Sequence, residues 1–152
     1  MLAGPFPSMK PGKPKIVILL GPTAVGKTDL ALALASEFGG EIVSADSMQV
    51  YRHLDIGTSK PTLQERKKVP HHLIDVVEPD DEFSAARFRE MADSIIADLD
   101  GRKAVFVVGG TGLYIRTLTG GLIDAPDDGL RRRYREALEG QDSESLHGRL
   151  RQ

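Results

Sequence analysis

Apolar and polar positions alternate along the chain in two rhythms. Ile16-Val17-Ile18-Leu19-Leu20 is an unbroken apolar run and predicts a buried strand. From Lys27 to Phe38 the rhythm becomes helical. Leu30, Leu34, Ala35 and Phe38 share one predicted face, and Gly39-Gly40 stops the helix. Glu41 to Ala45 predicts a short second strand, followed by a polar loop from Asp46 to about Pro61 and a brief helix over Thr62 to Lys68. His72 to Val77 predicts a third strand, closed by Glu78-Pro79. Ser84 is placed to cap a helix carrying Phe88, Met91, Ala92, Ile95, Ile96 and Leu99 on one side. Ala104 to Val108 is a second unbroken apolar run, as a central parallel strand covered on both faces requires. Gly109-Gly110-Thr111-Gly112-Leu113-Tyr114 then leads into a helix. Strands alternating with helices predict a doubly wound parallel sheet. Beyond Asp124-Ala125-Pro126, only helices are predicted, over Leu130 to Leu138 and Ser145 to Leu150.

Three domains follow as expectations. Residues 1–14, rich in proline, glycine and lysine, read as a disordered leader. Residues 15–125 form an incomplete α/β core, and 126–152 begin a helical insertion. At 152 residues the chain is long enough for one well-cored α/β domain with little left over. The last predicted helix reaches Gln152 without a closing partner, which reads as a chain cut inside a larger protein. The absence of cysteine rules out disulfides and thiolate metal sites and suits a cytoplasmic setting. A net charge of −2 does not advertise nucleic-acid binding, although a local basic patch would suffice for it.

The chemistry is concentrated after the strands. Gly21-Pro22-Thr23-Ala24-Val25-Gly26-Lys27-Thr28 has the spacing glycine, four residues, glycine, lysine, threonine, between a strand and a helix. Its backbone N–H groups can close around phosphate oxygens, Lys27 can reach the outer phosphates, and the Thr28 hydroxyl can ligate a magnesium ion. Ligands of open parallel sheets bind outside the carboxyl ends of the strands. This brings Asp46-Ser47-Met48-Gln49 and Gly109-Gly110-Thr111 toward the same cleft. Asp46 is either a general base or the side chain that caps a turn. Thr111 is either a helix N-cap or a ligand contact. His71 and His72 form no metal-ligand constellation and mark a strand entrance. Gln64 to Lys68 reads as charged surface. Arg131, Arg132, Arg133 and Arg135 form a basic cluster that is either a solvated helix face or a contact for RNA phosphates.

These blocks together resemble the tRNA dimethylallyltransferase (tRNA isopentenyltransferase) family. The similarity runs from the Gly21–Thr28 loop through Ser44 to Arg52, Asp55-Ile56-Gly57-Thr58-Ser59-Lys60-Pro61, Pro70-His71-His72-Leu73-Ile74-Asp75, Phe83-Ser84-Ala85 and Gly109 to Tyr114, in family order. The loop alone is shared with many kinases; its combination with the Asp46 and Gly109 blocks is specific. The resemblance implies a P-loop NTPase-like core, a prenyl transferase activity and magnesium as cofactor. The phosphate loop would bind dimethylallyl diphosphate. Asp46 would act as base toward N6 of the adenosine on the 3′ side of the anticodon. Asp46, Ser47, Met48, Gln49, Thr111 and Arg131 would touch the tRNA anticodon stem-loop. A cytoplasmic monomer is expected, as is weak or absent activity for these 152 residues alone. The competing readings are a small-molecule kinase, an adenylate isopentenyltransferase using free nucleotide, and a binding remnant without catalysis.

Overall fold

The structure, a computed structural model, describes residues 16–120 and 128–150. It divides into two units, residues 1–121 and 122–152; the expected leader lies outside the described residues.

In the first unit, four parallel strands run β1 (Ile16–Leu20), β2 (Glu41–Ser44), β3 (His71–His72) and β4 (Val105–Gly109), in the spatial order β1-β4-β2-β3. Four helices accompany them: α1 (Lys27–Phe38), α2 (Leu63–Lys68), α3 (Ala85–Leu99) and α4 (Gly112–Gly120). Every residue of β4 is buried, because it lies between β1 and β2 and is covered on both faces. Period-2 alternation splits its side chains. Val105 and Val107 join Phe88, Ala92 and Ile96 of α3 and Tyr114 and Ile115 of α4 in one core. Phe106 and Val108 join Ala31, Ala35 and Ile42 in the other. Burying a side chain such as Phe88 or Phe106 contributes about 1.5–3 kcal/mol, so the two clusters fix which helix covers which face.

Local signals explain the element ends. Gly39, at φ 60°, caps α1 in the left-handed region. Thr62 and Glu65 form a capping box at the start of α2. The Ser84 hydroxyl accepts the Arg87 amide at 3.1 Å, as its position predicts.

Several expectations are corrected. β1 is an edge strand of the described sheet and only half-buried, with Leu20 53% exposed, so its apolar run does not mean burial on both faces. The buried face of α1 is Ala31 and Ala35, while Leu30 and Phe38 are exposed. Small side chains let α1 lie close to the sheet; at Gly40 an added Cβ would sit 2.6 Å from the Phe106 ring. The third strand is only His71–His72, so the histidines form the strand and do not merely precede it. Leu73 and Asp75 take φ values of 60° and 57°, which end extended pairing until Val77 bridges to Tyr51.

The second unit contains α5 (Asp128–Leu138) and α6 (Ser143–Leu150). The sixth helix starts two residues earlier than its apolar spacing predicts, because the Asp142 carboxylate accepts the amides of Glu144 and Ser145 at 3.0 and 2.9 Å.

Candidate active site

The phosphate loop leaves β1 at Gly21 and enters α1 at Lys27. Gly26 sits at φ 81° and ψ 16°, a left-handed conformation that glycine adopts without strain. Ala24 is also at positive φ, 66°, where an L side chain is unfavourable. No side chain caps α1, and uncapped leading amides are able to meet an anion. The Lys27 ammonium folds back to donate to the Pro22 carbonyl at 2.6 Å, which holds it over the loop.

A cleft of about 420 Å³ opens beside this loop. It is lined by Thr23, Ala24, Gly26, Lys27 and Thr28 from the loop and α1, by Asp46, Met48 and Gln49 after β2, and by Gly109 at the end of β4 and Gly110 after it. The three segments singled out in the sequence therefore meet in one place. Ser47 and Thr111 are not among the lining residues; the Ser47 amide donates to the Thr111 hydroxyl at 2.9 Å. Thr111 thus spends its oxygen on the neighbouring loop. Its carbonyl accepts the amides of Tyr114 and Ile115 at the start of α4.

Asp46 fits both of its candidate roles at once. Oδ1 accepts the amides of Met48 at 2.9 Å and Gln49 at 3.3 Å, which is the turn-capping geometry. Both bonds use one oxygen, and Oδ2 has no hydrogen-bond partner among the described residues. Asp46 and Lys27 thus face the same cleft with opposite charges.

Gly109 brings the second and third segments together. A Cβ there would lie 2.1 Å from the Ala45 carbonyl oxygen, so only glycine permits the approach. The approach is sealed by Ala45 N–H to Val108 O at 2.7 Å and Thr111 N–H to Ala45 O at 3.2 Å.

The far wall was not assigned from the sequence. Gly57, Thr58, Ser59 and Pro61 line it, with His71 at its edge. The Gln49 side chain ties this wall to β2: Nε2 donates to the carbonyls of Thr58 and Ser59 at 3.2 and 3.1 Å, and Oε1 accepts the buried Ser44 hydroxyl at 2.9 Å. Loop 54–61 has no periodicity, and its one sequence signal is that it belongs to the Asp55–Pro61 block. His71 has Nδ1 2.7 Å from the Val69 carbonyl. Burial pushes its pKa down, with nearby Arg66 adding to the effect against that carbonyl's opposing pull.

Magnesium fits the donor set. Among the described residues no group of three His, Asp or Glu side chains could cage a metal. Magnesium is commonly held by one or two protein oxygens plus substrate phosphates, and Thr28 and Asp46 line the cleft. Arg132, Arg133 and Arg135 of α5 are exposed. The Arg131 side chain lies outside the described set. No helix among the described residues is long and apolar enough to cross a membrane.

Comparison with known proteins points one way. The family model described as IPP transferase matches residues 49–152. A tRNA dimethylallyltransferase 2 of Syntrophus aciditrophicus is 57% identical over 141 residues, covering 91% of this chain and 45% of that protein. The tRNA dimethylallyltransferase of Myxococcus xanthus is 50% identical, covering 91% and 46%. Among solved structures, a full-length tRNA isopentenylpyrophosphate transferase from Bacillus halodurans superposes with a TM-score of 0.71 at 41% identity, covering 91% of this chain and 47% of that one. A eukaryotic dimethylallyltransferase acting on tRNA gives a TM-score of 0.75 at 36% identity, covering 89% and 34%. The chain spans about half the length of the curated relatives it matches.

Proposed function

The chain belongs to the IPP transferase family, and from that premise we propose that it supplies the donor-binding and base-bearing part of a cytoplasmic tRNA dimethylallyltransferase. The observation that carries this reading is that Lys27 and Asp46 line one cleft.

The diphosphate of dimethylallyl diphosphate sits against the amides of Thr23 to Thr28, with Lys27 on its outer oxygens. The adenine N6 enters from the side of Asp46 to Gln49. An adenine amine is a weak nucleophile because its lone pair is delocalised into the ring. Asp46 Oδ2 takes a proton from N6 as the bond from N6 to the allylic carbon forms and the bond from that carbon to the diphosphate oxygen breaks. A positioned base contributes roughly 10²–10⁴ in rate. Negative charge grows on the departing oxygens, which the loop amides and Lys27, exchanging the Pro22 carbonyl for them, would stabilise. Magnesium, held by Thr28 and the diphosphate, would supply further charge neutralisation. The cost of taking the target base out of its stack is about a few kcal/mol. It is lower in an anticodon loop than in a duplex. Thr111 supports the adenosine side through Ser47, and the resemblance to the family assigns Arg131 to the tRNA.

The test uses a protein extended to the length of its relatives. It is incubated with dimethylallyl diphosphate and an anticodon stem-loop, with AMP, or with ATP and small-molecule acceptors. N6-prenylated stem-loop is the expected product. Prenylated AMP with no RNA product would make it an adenylate isopentenyltransferase, and phosphoryl transfer without a prenyl product would make it a kinase.

A further inference from the structure

Lys60 is the most deeply buried charge among the described ion pairs, its side chain only 3% exposed. Its ammonium has three protons and three partners: the Tyr51 carbonyl at 2.7 Å, Asp55 Oδ1 at 2.9 Å and Asp75 Oδ1 at 2.7 Å. The other Asp75 oxygen accepts from Arg66 Nη1 at 2.6 Å, and Arg66 Nε donates to the Pro61 carbonyl at 3.0 Å. Two cations and two anions thus clasp loop 54–61 at both ends.

The clasp acts on a loop that would not keep its shape unaided. Gly57 and Ser59 lie at φ 80° and 51°, and Asp75 itself at 57°. A non-glycine residue at positive φ persists only where its surroundings over-determine it. Ser59 is held from both sides, by Lys60 next to it and by Gln49 Nε2 on its carbonyl. Gln49 is also the residue whose amide donates to Asp46 Oδ1. A continuous chain of bonds runs from the Lys60 clasp through the Thr58 and Ser59 carbonyls and Gln49 to the Asp46 turn. A buried ion pair is weak evidence for added stability, so this geometry is better explained by what it holds in place.

We propose that Lys60 is a positioning residue: with Asp75 and Arg66 it fixes the 54–61 wall of the cleft and, through Gln49, the aim of the Asp46 carboxylate at the acceptor. This rests on the prenyl-transfer reading and adds to it a group that touches neither substrate. The phosphate loop lines the same cleft but hangs from β1, on the far side of β4 from β2 and β3, and none of the clasp's hydrogen bonds reaches it, so donor binding should change little.

The test compares wild type, Lys60→Met, Gln49→Leu and the double variant in the protein at its relatives' length. Donor Kd, kcat with a stem-loop acceptor and thermal midpoint are measured. The expected result is a donor Kd within about twofold of wild type and a kcat lower by about 10- to 100-fold. The double variant should be little worse than the worse single one, since both act through one loop. Lys60→Arg should not restore kcat, because a planar guanidinium cannot reproduce a compact three-way donor. Wild-type kcat in Lys60→Met, or independent multiplying losses, or donor binding and kcat falling together in step with the thermal midpoint, would each overturn it. If Lys60→Met does not fold, Asp75→Asn, which weakens the same clasp at a residue with no assigned substrate contact, decides by the same split between donor Kd and kcat. A wild-type protein that transfers no prenyl group refutes the proposed function and this inference together. A wild-type protein that transfers it while the variants are unimpaired refutes this inference alone.

Discussion

The hydroxyl of Thr111 accepts the backbone amide of Ser47 at 2.9 Å, although 64 residues separate them in the chain. The bond locks the loop after β4 to the loop after β2, at the residue that follows Asp46. Thr111→Val keeps the shape and orphans the Ser47 amide. It should cost about 0.5–1.5 kcal/mol of stability, the usual net worth of such a bond, and lower activity. Thr111→Ser should restore both. Urea midpoints and prenylation rates of the two variants check this.

Asp46→Asn separates the two roles of that side chain. An amide oxygen still accepts the Met48 and Gln49 amides but takes no proton. Transfer should fall by roughly 10²–10⁴ with donor binding little changed. Asp46→Ala should add a modest stability loss to the same catalytic defect. Single-turnover rates beside donor titrations read the difference, and equal activity in Asp46→Asn would remove Asp46 from the mechanism.

Lys27→Met should weaken the donor complex as well as the rate. A hydrogen bond to a charged group contributes about 1.5–3 kcal/mol, so donor Kd should rise by at least about tenfold. Calorimetric titration with dimethylallyl diphosphate checks it, and an unchanged Kd would place the diphosphate elsewhere.

Gly109→Ala should damage both fold and site. Its Cβ would meet the Ala45 carbonyl at 2.1 Å, and forced overpacking typically costs about 1–3 kcal/mol. Gly112→Ala is the control, since open space surrounds that position. The thermal midpoint should drop for the first and hold for the second.

His71 gives stability an acid-side slope. Burial holds its folded pKa below the ordinary 6.5. The unfolded chain therefore binds a proton first as pH falls, and stability contributed by the neutral ring is lost from about pH 6.5 downward through the folded pKa. Asp75 acts lower. Burial pushes its carboxyl up, but the hydrogen bonds from Lys60 and Arg66 outweigh this and hold it below the ordinary 3.8. Its contribution is present above that value and lost as pH falls through its depressed folded pKa. Urea midpoints between pH 7.5 and 5 should fall for wild type and flatten for His71→Gln.

Much of the site was legible because its signals are local. The Gly21–Thr28 spacing, the Ser84 cap and the Gly39 stop each act within a few residues, and each appears at its expected place. Asp46 could be singled out but not divided between turn and base, because the two oxygens of a carboxylate are not distinguished by sequence. Leu30 and Phe38 were misassigned to the core of α1 because helical periodicity marks a stripe without saying how closely the helix approaches the sheet. The run His72 to Val77 reads as a strand until the positive φ values of Leu73 and Asp75 interrupt it.

The amino-acid order alone determined where the chain could turn, cap and bind phosphate, since those properties depend on backbone conformations that neighbouring residues impose. Tertiary structure decided which distant segments share the cleft: Gly109 against Ala45, Thr111 against Ser47, and the Lys60 clasp on the loop that lines the cleft from Gly57 to Pro61. Contacts between residues far apart in the chain exist only after the strands have taken the order β1-β4-β2-β3, and no local pattern encodes that order.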